Sequence, residues 1–151
     1  MFLYSIRYTY PIILIYQIKI WGGKLLISMD ESVNVLGEPL TMCGDDPLTG
    51  FFRDGKCNTC KDDVGLHTVC IEASTEFLEY SRFKGNDLST PAPEFGFAGV
   101  KPGNTWCLCA ARWLQAHEDG MAPRVHLTRT HKRTLEIVPF ALLKKFAIDL
   151  N

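Results

Sequence analysis

The sequence lacks a complete catalytic, metal-binding or nucleotide-binding motif. It lacks a strong net charge of either sign: the formal value is -1 at pH 7 over 151 residues. No overall basic field therefore draws it to nucleic acid. The basic patch Arg124, His126, Arg129, His131, Lys132 and Arg133 has no interleaved aromatics for base stacking, and reads as a solvated strand face. The apolar run around Ile12 to Tyr16 is too short for a bilayer, which takes about 20 residues, and Gln17 and Lys19 interrupt it. A secretory leader needs a basic start and a small-residue cleavage site; Arg7 is the sole early charge and no such site follows. Cys57-x-x-Cys60 has no second Cys-x-x-Cys, because Cys107-x-Cys109 has the wrong interval for a zinc ribbon. Asp45-Asp46 and Asp62-Asp63 read as turn caps, with no Asp-x-Asp-x-Asp-Gly calcium loop around them. No internal repeat is visible. Nucleic acid, membrane, metal and cofactor are all outside the expectation.

What is present fits one domain. Hydrophobic residues make up 46% of the chain, enough for a real core. The six cysteines sit in a chain that is not short and shows no leader, so reduced thiols in the cytoplasm are expected. Met1 to Ser28 differs from the rest in its Ile, Leu and Tyr content. It reads as an N-terminal extension translated from an early start, with a membrane-tethering segment as the rival. The domain is expected over residues 29–151.

Within that domain, Leu66 to Glu72 is the best strand, apolar on both faces and therefore central. Alternation puts His67, Val69 and Ile71 on one face, with Thr68 and Cys70 on the other. Ser74 caps a helix that Gly85 closes, with Glu76 in its first turn. Phe51 to Arg53 reads as a strand before the Asp54-Gly55 turn. Asn86 to Val100, rich in Pro and Gly, is too long for a plain connector and reads as an ordered loop. Trp106, Cys109, Ala110, Trp113, Leu114 and His117 recur at helical spacing, so a helix is expected from Trp106 to Gly120. On that helix Cys107 and Cys109 diverge by about 200°; on a strand they would share a face. Strands are expected at Arg124 to Arg129 and Leu135 to Val138, and a helix from Phe140 to Ile148 behind Pro139.

The stretches Asn34-Val-Leu-Gly-Glu-Pro-Leu, Asp46-Pro-Leu-Thr-Gly-Phe-Phe-Arg-Asp-Gly, Asp63-Val-Gly-Leu-His-Thr-Val-Cys, Gly85-Asn-Asp-Leu-Ser-Thr-Pro, Lys101-Pro-Gly and Trp106-Cys-Leu-Cys-Ala, together with Arg112-Trp113, Thr130-His131 and Leu135-Glu-Ile-Val-Pro, carry a resemblance. With them the chain resembles a bacterial and eukaryotic family known as domain of unknown function 2237. The likeness covers almost everything after about Val33 and does not reach Met1 to Ser28. It implies a small α+β two-layer fold; with the elements read above, the expectation is a sandwich with an antiparallel or mixed sheet, helices on one face and long ordered loops. It brings no assigned activity. Cys60 stands where the family pattern has Gly.

Function must then be read from residues. The expectation is a small domain that binds a small, anionic ligand between its loops, with an enzyme carrying a loop-borne thiol as its sharper form. Cys57 and His67 are the catalytic candidates. Arg53 and Lys56 lie close to Cys57 in sequence and favour its thiolate, and His67 is a general base. Arg53, Asp87 and Arg112 are the ligand-binding candidates. The rival class is a non-catalytic protein-interaction domain. A second rival is a zinc-binding domain using Cys43, Cys57, His67 and Cys70.

Overall fold

The computed structural model describes residues 32–150 in full, and the backbone of Tyr16–Trp21 and Lys24–Met29. The chain divides into two compact units, Met1–Glu31 and Ser32–Asn151. In the first, strands β1 (Tyr16–Trp21) and β2 (Lys24–Met29) pair antiparallel, from Tyr16 opposite Met29 to Trp21 opposite Lys24. The remainder of the segment read as an extension lies outside the described residues.

The second unit is the small α+β fold expected. Its strands are β3 (His67–Glu72), β4 (Thr105–Cys109) and β5 (Arg124–Val125), all antiparallel in the order β4-β3-β5. Its helices are α1 (Thr75–Phe83), α2 (Ala110–Glu118) and α3 (Phe140–Lys145). β3 is central because it is apolar on both faces; Val69, Cys70 and Ile71 are fully buried. α1 begins where the Ser74 hydroxyl accepts from the Phe77 N–H at 3.1 Å. It buries Phe77 and Leu78 in the same core as Val69, Ile71 and Trp113. Trp113 has no exposed surface, and its indole N–H donates to the Pro123 carbonyl at 3.1 Å. Among the described residues no helix is long and apolar enough to cross a membrane.

Several expectations are corrected here. The single helix from Trp106 to Gly120 is in fact β4 followed at once by α2. Helical spacing misled because Thr105-Trp-Cys-Leu-Cys also reads as period two, and β3 offers it an open edge to pair with. Phe51 to Arg53 is a turn, not a strand. Only Arg124–Val125 of the third expected strand pairs, because the Cys70 N–H takes the Thr130 hydroxyl at 3.1 Å in place of a continuing ladder. Leu127–Arg129 and Lys132–Glu136 are 3-10 turns, which replaces the strand expected at Leu135 to Val138. α3 stops at Lys145, and the chain then pairs with β5 at Ala147, the Ile148 N–H donating to Val125.

Candidate functional site

The site begins with sulfur. Cys70 and Cys107 are cross-strand partners on β3 and β4. Each is oxidised to a loop cysteine: Cys43 to Cys70 and Cys57 to Cys107, with Cα separations of 5.7 and 5.2 Å. The loop between Cys43 and Cys57 is thus fastened to the sheet at both ends. Side chains tighten it, since the Thr49 hydroxyl accepts from the Cys107 N–H at 2.8 Å and the Thr105 hydroxyl donates to the Cys43 carbonyl at 2.6 Å. All four sulfurs are buried in one cluster. Those of Cys43, Cys57 and Cys70 lie within 4.8 Å of one another. Fully reduced, that is a metal-ligand arrangement; oxidised, it has no thiolate to offer an ion.

This overturns the expectation of reduced thiols, and with it the proposed role of Cys57. A disulfide sulfur carries no thiolate, and Cys57 has no exposed surface. In this form it is neither nucleophile nor ligand. The free cysteines among the described residues are Cys60 and Cys109, both half-buried.

The fastened loop forms one wall of a cavity of about 360 Å³. Phe51 and Arg53 come from the loop, His67 from β3, Trp106 and Cys109 from β4, and Arg112 from the first turn of α2. The Arg53 guanidinium lies 5.3 Å from the centre of the Trp106 ring, a cation–π contact. Arg53 also has a positive φ of 54°, and Leu66 one of 47°. They are the two non-glycine residues in this region of backbone space among the described residues. Such strain costs about 1–3 kcal/mol each and gathers at functional sites.

His67 is set by three local devices. First, the register of β3 against β4 slips between His67 and Val69, so His67 stands opposite Cys109 while Val69 stands opposite Leu108. A bulge of this kind re-aims a side chain; it takes His67 out of the strict alternation that the sequence implies. Second, its ring packs on Gly65, where an added Cβ would come within 2.7 Å of the imidazole, and stacks with Phe51 at 6.3 Å. Third, His67 Nδ1 lies 2.6 Å from the Asp63 carboxylate, which is wholly buried. Asp63 also accepts from the His67 backbone N–H and the Thr59 hydroxyl, both at 2.9 Å. With Nδ1 turned to Asp63, Nε2 is the ring nitrogen without a hydrogen-bond partner among the described residues.

Of the residues singled out from sequence, Arg53, His67 and Arg112 line this one cavity, and Cys57 reaches its wall through the disulfide to Cys107. Asp87 does not line it. Its carboxylate accepts from the Ser89 and Thr90 N–H groups and from the Thr90 hydroxyl, and holds the turn that follows Asn86. Those hydrogen bonds, the Thr90 hydroxyl first, pull its pKa down to about 2. Arg112 donates to the Lys84 carbonyl at 3.3 Å and to Gln115 at 3.2 Å, both neutral acceptors. Sequence reasoning read Asp63 as a turn cap and left Cys109 outside the candidate site. The His67-minus-four spacing gives no signal for Asp63, because only the tight turn ending at Leu66 brings it back. For Cys109 a signal existed: the alternation of bulky and small residues in β4.

No curated protein matches the chain. The family model described as an uncharacterized protein conserved in bacteria, DUF2237, matches residues 33–147, and the chain belongs to that family.

Proposed function

We propose that the domain binds a small anionic compound in the cavity between the disulfide-fastened loop and the first turn of α2. One observation carries this reading. Two arginines, Arg53 and Arg112, line the same cavity, and neither has a carboxylate partner among the described residues. An arginine fork left without a carboxylate is suited to bidentate capture of one from a ligand, or of a phosphate. The cavity volume of about 360 Å³ falls within the range usual for small-molecule sites. Trp106 and Phe51 supply apolar surface beside the cations.

Thermal shift against dicarboxylates, phosphate esters and their neutral analogues tests this. The expected result is a rise in midpoint with one class of anion, absent with its neutral analogue and lost in Arg112→Ala. At a ligand concentration about 100 times Kd the gain is about 2.7 kcal/mol. A flat response across the panel removes the reading. It then favours the rival class, a protein-interaction domain, for which co-purification of a stoichiometric partner is the mark. The cytoplasmic location expected from sequence rested on reduced thiols; two disulfides take that support away and favour an oxidising compartment.

A further inference from the structure

The cavity contains a second chemistry that anion capture does not use. Cys109 is free, half-buried and in the cavity wall. His67 is its cross-strand partner. Directly opposed residues hold their Cβ atoms about 5 Å apart, and both side chains line the same cavity, although thiol and imidazole are not hydrogen-bonded to each other in this structure. Behind His67 stands the buried Asp63 carboxylate, 2.6 Å from Nδ1. Cys109 is also the residue at the N-cap of α2, and its side chain caps nothing there. The positive end of the helix dipole favours negative charge at this point, on sulfur or on an adjacent oxyanion.

We propose that Cys109 is a nucleophilic thiol, His67 its general base and acid, and Asp63 the positioning residue that fixes the imidazole. The substrate class is an acyl compound, ester or thioester, that bears a negative group. Only that negative group rests on the anion-binding reading; the thiol chemistry does not. His67 Nε2 takes the proton of the Cys109 thiol. The sulfur electron pair forms a bond to the acyl carbonyl carbon. The bond from that carbon to the leaving oxygen or sulfur breaks, and the leaving group departs with the electron pair and takes the proton from His67. Water then attacks the acyl-enzyme, giving its proton to His67. The carbon–sulfur bond breaks, the carboxylic acid leaves, and the thiol recovers its proton. The bulge in β3, the positive φ of Leu66 and the absence of a side chain at Gly65 acquire a common reason: each contributes to setting His67 opposite Cys109.

The experiment is alkylation of the native, unreduced full chain with iodoacetamide and with iodoacetate, mapped by mass spectrometry. Cys60 serves as the internal reference. Cys109 is expected to react faster than Cys60 with both reagents, and to prefer iodoacetate, the reverse of an ordinary exposed thiol. Loss of His67 in His67→Ala should slow Cys109 by about 100-fold or more; His67→Gln, which keeps a donor to Asp63, serves if the alanine variant fails to fold. Asp63→Asn should shift the pH profile of Cys109 alkylation, which a merely structural role would not move. Incubation with mono-4-nitrophenyl succinate should leave a succinyl group on Cys109, and none on the Cys109→Ser chain. A Cys109 that labels no faster than Cys60 with either reagent overturns the proposal, even if anions still stabilise the protein. Fast labelling without preference for iodoacetate supports the nucleophile and removes the anion reading instead.

Discussion

At each end of the β3–β4 ladder a β4 cysteine stands opposite a β3 residue, and the two ends do different things. At one end, Cys70, Ile71 and Glu72 face Cys107, Trp106 and Thr105 in regular register. Both cysteines there are oxidised and buried, and Ile71 has no exposed surface. At the other end the register slips by one residue and His67 meets Cys109. There the cysteine is free, the histidine side chain is 45% exposed, and a cavity opens beside them. Regular pairing maximises burial and stability; the bulge gives up pairing and leaves a half-buried thiol and a partly exposed imidazole beside the cavity. What a cysteine does in this protein is therefore decided by which end of the ladder it occupies.

The sharpest way to break that contrast is at the oxidised end. Replacing Cys57 and Cys107 together by alanine removes a cross-link spanning 50 residues. Loop-closure entropy sets the loss at about 4 kcal/mol, and that for the 27-residue Cys43–Cys70 link at about 3.5 kcal/mol. Urea unfolding should show both losses. A variant lacking Cys57 and Cys107 that unfolds at the wild-type midpoint would mean that the loop is held by packing alone.

Acid offers a smaller, graded test of the same stable region. His131 is buried, and its pKa is pushed below the ordinary 6.5 by that burial and then by Arg133. Its Nδ1 accepts from the Arg133 N–H at 3.0 Å, which requires a neutral ring nitrogen there. His126 is likewise lowered, by burial first and Arg129 second. The unfolded chain binds protons on these rings before the folded chain does. Their contribution is complete above pH 6.5 and declines as pH falls through the lowered folded values. Midpoints measured at falling pH should drop over this window in the wild type and drop less in His131→Asn. Equal pH slopes for the two chains would assign the acid sensitivity to other groups.

At the bulged end the expected stability effect is the smallest. Cys109→Ser keeps size and leaves the half-buried site without a new buried polar group, so stability should change by no more than about 0.5 kcal/mol. The same change is expected to abolish alkylation at this position and acyl transfer to it. A large destabilisation would place Cys109 with the structural cysteines.

Pattern alone was sufficient for elements whose local and tertiary preferences agree. The apolar run Leu66 to Glu72 had to be a buried strand, and Ser74 with Glu76 had to open a helix, because hydrophobicity and capping act within a few residues. Arg53, His67 and Arg112, singled out as cations and a base beside turns and aromatics, come together in the wall of one cavity. For the segment Thr105 to Cys109 pattern was not sufficient. Helical and strand periods both fit it, and only the free edge of β3, more than thirty residues earlier in the chain, selects the strand. That selection puts Cys107 and Cys109 on the ladder and assigns them opposite fates: Cys107 meets Cys57 from a distant loop, while Cys109 meets His67 across a bulge. Disulfide partners and cross-strand neighbours are long-range contacts, and six cysteines permit many pairings that sequence spacing does not rank. The residues supply the thiols, the imidazole and the arginines; which thiol is sealed and which one stands opposite His67 in the ladder is decided when the chain closes on itself.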